Sequence, residues 1–215
     1  MIRPILITAV LSVASAGSAQ SQTVREWFRM APCGQQVSLQ PTDSRRVTVD
    51  DANGYLQVSD IEGDLGHETT FAIFRKADGS RIFACSELER SDDGTGTHLT
   101  FYELRGGRLV AITRPVVPRM DLVDFLAPGT TPPARKYRRV LLHYILPRRG
   151  TTIRVQAEEL DADEAFADPR APNGMWPEAE IQRYWRIVGS RRYRAIELNW
   201  DRTRGVFTAG RKIPR

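Results

Sequence analysis

Apolar and polar residues exchange places every second position over much of this chain, in short runs divided by polar, glycine-containing turns. Successive side chains of a strand point to opposite faces, so the pattern predicts half-buried β-strands. Residues 46–49 and 55–58 flank Asp50-Asp51-Ala52-Asn53-Gly54, and Asn-Gly is a hairpin signal because both residues tolerate positive φ. Residues 69–74 and 81–85 flank Lys76-Ala77-Asp78-Gly79, and residues 99–104 and 109–113 flank Arg105-Gly106-Gly107-Arg108. Three hairpins in series predict a meander, with sequence neighbours pairing in space.

A helical period interrupts this in two places. Val24, Trp27 and Phe28 fall at i, i+3 and i+4, so residues 23–30 predict a short helix, ended by Ala31-Pro32-Cys33-Gly34. Leu122, Phe125 and Leu126 share a face and predict one helical turn over 121–126. Residues 127–133 hold three prolines and a glycine, which makes them the best internal boundary. Beyond it, residues 137–146 and 151–156 predict a strand pair turned by Pro147-Arg148-Arg149-Gly150. Residues 157–166 predict a short helix or ordered loop, 168–174 an irregular connection, and 181–188, 193–200 and 205–209 three strands. The expected class is therefore mainly β (α+β): antiparallel hairpins and meanders, a short N-terminal helix, and one or two short connecting helices.

The N-terminus has a different pattern. Arg3 precedes an apolar run over 5–13, followed by the small residues Ala14, Ala16, Gly17 and Ala19. Charge, short apolar core and small exit residues predict a secretory signal peptide over 1–19. Cleavage after Ala19 is favoured because polar Gln20-Ser21-Gln22 follows, although Ala14-Ser15-Ala16 also fits. The run is too short to span a bilayer, which takes roughly 20 apolar residues. The expectation is a periplasmic or extracellular protein of residues 20–215, with no transmembrane segment after cleavage. It is a single domain or two packed halves, 20–127 and 134–215.

Export gives the two cysteines, Cys33 and Cys85, a meaning. In an oxidising compartment an even count predicts one bridge. Closing that 52-residue separation would restrict the unfolded chain by about 4 kcal/mol in the chain-entropy model. A redox enzyme would use Cys-x-x-Cys, which is absent.

Charge divides the chain at the same boundary. Residues 20–134 carry 12 basic and 16 acidic side chains, and residues 135–215 carry 18 basic and 10 acidic. The basic half could meet an anionic envelope polymer or an acidic protein, or it could be neutralised by the acidic half of its own chain. Nucleic acid is not an expected partner in that compartment.

No catalytic motif is evident. His67, His98 and His143 lie outside His-Glu-x-x-His and His-x-His patterns, and no Gly-x-Ser-x-Gly elbow occurs. The acidic runs 60–64 and 158–164 read as solvated turns or helix; the second has no glycine, and the first offers three carboxylates. No metal and no cofactor are expected. Glu103 and Glu197 are acids in predicted strands, but nothing singles out the pair a glycosidase needs.

The most suggestive surface residues are Tyr184, Trp185, Arg186, Arg191, Arg192, Tyr193 and Arg194, where aromatics and guanidinium groups interleave. Arginine forms paired bonds to carboxylate or phosphate, and aromatic faces support stacking. The opposing reading puts the aromatics in a core and the arginines outside. The expected function is binding of another envelope protein or an anionic envelope polymer. The alternatives are a hydrolase of envelope polymer built from dispersed acids, and a structural accessory subunit.

Overall fold

A computed structural model describes residues 22–62, 65–91, 94–112, 115–158 and 176–215. The signal-peptide expectation, most of the acidic segment and the irregular connection at 168–174 lie outside the described residues.

The first element is helix α1, Val24–Met30, with a reciprocal capping box. Glu26 N–H donates to Thr23 Oγ1 at 3.3 Å, and Thr23 N–H donates to Glu26 Oε2 at 2.7 Å. Two amide donors that the helix itself cannot satisfy are thus paired. A third, Val24 N–H, donates to Asp51 Oδ1 at 2.8 Å, which ties the helix to the first hairpin turn. A Cβ at Gly34 would collide with the Phe28 carbonyl oxygen, so only glycine lets the chain fold back against the end of α1.

Six strands follow: β1 Arg45–Asp50, β2 Tyr55–Glu62, β3 Leu65–Arg75, β4 Arg81–Ser91, β5 Gly94–Arg105 and β6 Arg108–Ala111. They form an antiparallel sheet in chain order, the meander the hairpin turns predict. Gly106 and Gly107 both take positive φ, 54° and 77°, as a two-residue turn matched to strand twist requires. Strands β3, β4 and β5 run well past their apolar alternation, because the backbone ladder continues wherever neighbouring amides can pair.

A second antiparallel sheet has the order β10-β9-β8-β7. Its strands are β7 Leu141–Ile145, β8 Ile153–Glu158, β9 Tyr193–Asp201 and β10 Val206–Pro214. Two local expectations are corrected here. Residues 181–188 are not a strand but part of helix α2, Glu178–Gly189. Ile181, Tyr184, Trp185 and Val188 recur at helical spacing, and that period outweighs their β-branched and aromatic character. The strand expected over 137–146 starts only at Leu141, because Arg135–Arg138 form a 3-10 turn that sends Tyr137 into a local core.

The two sheets pack face to face. Phe207 meets Phe74 at 5.0 Å and Trp200 at 4.8 Å between ring centroids, with Ile153, Val155, Ile196 and Leu198 beside them. Polar groups at this interface have partners. Trp200 Nε1–H donates to the Arg75 carbonyl at 3.0 Å, Ser86 Oγ to the Tyr144 carbonyl at 2.8 Å, and Thr97 Oγ1 to the Leu142 carbonyl at 3.0 Å. The opposite face of the six-stranded sheet buries Leu56, Phe71, Phe83 and Cys85 under Trp27 and Phe28 of α1. Cys33 and Cys85 form a disulfide that pins the end of α1 to β4. A third cluster packs Tyr184 and Val188 of α2 against Leu122, Leu126 and Tyr137.

Candidate functional site

The seven residues marked by the sequence are gathered on α2, the short connection after it and the start of β9, but they do not share one role. Tyr184 is 1% exposed, and its hydroxyl donates to the Arg139 carbonyl at 3.1 Å. Trp185 is half-buried and meets Tyr184 edge-on at 5.2 Å. Arg191 is 9% exposed and donates to the carbonyls of Val188 and Ala157, closing the end of α2 onto β8. Tyr193 is half-buried, with Lys212 Nζ 5.2 Å from its ring centroid. Arg186, Arg192 and Arg194 are exposed. The patch therefore has an aromatic interior and an outer set of three guanidinium groups. A helix, rather than strand alternation, divides the first three residues in this way.

Neighbouring groups extend the basic surface. Lys136 pairs with Glu180, whose carboxylate also accepts from the Tyr137 hydroxyl. The Glu180 hydrogen bond holds Lys136 above the usual lysine value, and the same bond holds Glu180 below the usual carboxylate range. Arg183 lies over the Tyr137 ring at 5.2 Å. Between the acidic and basic halves, the ion pair found among the described residues is Arg148 Nε to Asp50 Oδ2, at 3.1 Å.

A second group of ionisable residues lies on the α1 side of the six-stranded sheet, beyond the disulfide. Strand register puts Arg45, Asp60, His67 and Glu89 in one cross-strand row, and Thr69, Glu87 and His98 in the next. Opposed side chains on one face have Cβ atoms about 4.5–5.5 Å apart, so these groups are direct neighbours. Arg45 Nε donates to Asp60 Oδ2 at 2.8 Å, and Thr69 Oγ1 lies 3.4 Å from His67 Nδ1. Gly96 pairs with Glu89 and leaves that end of the row without a side chain. A groove of about 530 Å³ runs between this face and the segment after α1, lined by Cys33, Gln36 and Ser38 opposite Asp60, His67 and Glu87. A smaller one, about 260 Å³, is lined by His67, Glu87, Glu89 and His98. Both are partly open to solvent.

This face is not apparent when each histidine is read alone. The signal available was hairpin register. Counting along the ladder from the Ser91–Gly94 pair puts His98 opposite Glu87, and counting from the turn at 76–79 puts His67 opposite Glu89. His143, the third histidine, is on the other sheet, with Nδ1 3.3 Å from Glu158 Oε1. That hydrogen bond holds the Glu158 carboxyl below its usual range. Among the described residues no group of three or more His, Cys, Asp or Glu is arranged to hold a metal ion.

Glu103 and Glu197 are not brought together. Glu103 is on β5 and pairs with Arg105, while Glu197 is on β9 of the other sheet and takes two bonds from Arg211. The Arg211 bonds lower the Glu197 pKa, the opposite of what a general acid needs.

Among the described residues no helix is long and apolar enough to cross a membrane. No protein-family model matches the chain, and no curated protein matches it. Among solved structures, a domain of an uncharacterized protein from Porphyromonas gingivalis W83 is similar at 12% identity. The likeness covers 87% of this chain and 97% of that one with a TM-score of 0.47, and carries no argument about function.

Proposed function

We propose that this is an exported envelope protein, periplasmic or extracellular after cleavage near Ala19, that binds an anionic polymer or an acidic protein through its C-terminal half. The observation that carries this reading is the excess of basic over acidic side chains in that half, 18 against 10, with three of its guanidinium groups exposed. Arg186, Arg192 and Arg194 face solvent, and Arg148–Asp50 is the ion pair found between the halves among the described residues. Exposed guanidinium groups on a rigid frame attract and fork carboxylates or phosphates, and the attraction is screened by salt. The grooves found among the described residues are partly open to solvent, which suits a binder. Capture of the protein on immobilised polyglutamate and on an envelope fraction, at low and high salt, tests the proposal. Salt-sensitive capture lost in the Arg186/Arg192/Arg194→Ser variant supports it; capture unchanged by both salt and variant contradicts it.

One observation favours a second reading. His67, Glu87, Glu89 and His98 converge along one groove, as an acid–base pair in a hydrolase of envelope polymer would. Turnover of envelope polymer that disappears in Glu87→Gln, with stability unchanged, would replace the binding proposal by this one.

A further inference from the structure

A groove of about 520 Å³ lies at the other end of the α1 side of the six-stranded sheet, beside the β3–β4 turn. Trp27, Lys76, Asp78, Ser80, Arg81 and Glu103 line it. Two donors carried by its lining residues have no hydrogen-bond acceptor among the described residues. Trp27 is 4% exposed, and its Nε1–H is buried without an acceptor among the described residues. Leaving a desolvated donor unpaired is costly, and the other core indole, Trp200, avoids that cost by bonding the Arg75 carbonyl. Arg81 is half-buried, with its guanidinium carbon 5.7 Å from the Trp27 ring centroid and no carboxylate partner among the described residues.

The two carboxylates on the rim are already engaged. Asp78 accepts from Ser80 N–H at 2.9 Å and from Ser80 Oγ at 2.6 Å, and these bonds hold its pKa below the usual range. Lys76 Nζ lies 3.9 Å from Asp78, and Glu103 pairs with Arg105. The lining sets two cations, Lys76 and Arg81, against two carboxylates, Asp78 and Glu103, and of these Arg81 is the charged group with no ion-pair partner among the described residues. Leu104, 45% exposed, supplies an apolar edge.

We propose that this groove binds a small carboxylate-bearing ligand, with Arg81 forking the carboxylate and Trp27 Nε1–H donating to a ligand oxygen as Arg81 turns from the ring. A guanidinium matches a carboxylate with two parallel bonds, and charge-assisted bonds in a half-buried groove are the stronger kind. The site is in the acidic half and is independent of the Arg186–Arg194 surface.

The test is a titration of the whole protein followed by the Trp27 indole N–H resonance, assigned by its loss in Trp27→Phe. N-acetylglycine is expected to move that resonance saturably, N-acetylglycinamide to leave it in place, and Arg81→Gln to weaken binding about tenfold or more. The other three indole resonances report whether Arg81→Gln is folded. An unmoved Trp27 resonance, equal shifts with the amide, or equal affinity in Arg81→Gln would overturn the proposal. Tighter binding of inorganic phosphate than of N-acetylglycine would overturn the carboxylate assignment.

Discussion

The two faces of the six-stranded sheet are built to different rules. The inner face, against the second sheet, is apolar along the shared part, and its polar groups reach across to backbone carbonyls: Ser86 to Tyr144 and Thr97 to Leu142. The outer face is apolar only where α1 covers it. Beyond the disulfide it continues as Asp60, His67, Glu87, Glu89 and His98 on the same strands. At the α1 end it leaves a buried indole donor without an acceptor among the described residues. The inner face spends its polar groups on cohesion, while the outer face keeps them available. A sheet that must both hold a core and meet a ligand can divide the two tasks between its faces, because alternate residues of each strand serve one face only.

Four mutational and solution tests can break or sharpen that contrast. Phe207→Ala removes an aromatic at the meeting of the sheets and is expected to cost about 3–5 kcal/mol in urea unfolding. A loss below 1 kcal/mol would mean the sheets do not share a core. Replacing Cys33 and Cys85 together by serine is expected to cost about 2–4 kcal/mol. Hydrogen exchange should then rise in α1 before it rises in β8 and β9, since the bridge fastens the outer layer alone. Ser86→Ala should cost about 1 kcal/mol by leaving the Tyr144 carbonyl unpaired, whereas Glu87→Gln, one strand step away on the outer face, should change stability by less than about 0.5 kcal/mol. Equal losses for the two would erase the distinction between the faces.

The smallest effect is on pH dependence. Hydrogen bonding to His143 lowers the Glu158 carboxyl from its ordinary value near 4.5, and Asn53 and Arg148 lower Asp50 from near 3.8. A depressed carboxyl contributes stability above its ordinary value and loses that contribution as pH falls through the lowered one. Melting temperature should therefore fall on acidification below about pH 4.5, and Glu158→Gln should flatten part of that fall. A steeper acid limb in the variant would contradict the assignment.

Alternation revealed the meander because each hairpin carried its own turn chemistry: Asn53-Gly54, Asp78-Gly79 and Gly106-Gly107. It also located α1, since Val24, Trp27 and Phe28 share a face. What it missed has a common cause. Apolar patterning ends where burial ends, but the ladder does not, so the polar extensions of β3, β4 and β5 were invisible, and with them the His67–Glu89 and Glu87–His98 pairs. Helix α2 departs from the strand expected over 181–188 for the opposite reason: Ile181, Tyr184, Trp185 and Val188 recur at helical spacing, and that spacing carries the information. The unpartnered Trp27 N–H depends on packing between α1 and β4, which no local pattern encodes.

The measurement that tests the central claim most directly is retention on immobilised polyglutamate across a salt gradient, comparing the protein with its Arg186/Arg192/Arg194→Ser variant. The basic excess of the C-terminal half predicts retention that falls steeply with salt and is largely lost in the variant, with an unchanged melting temperature. Retention that is indifferent to salt, or equal in the two proteins, would contradict it.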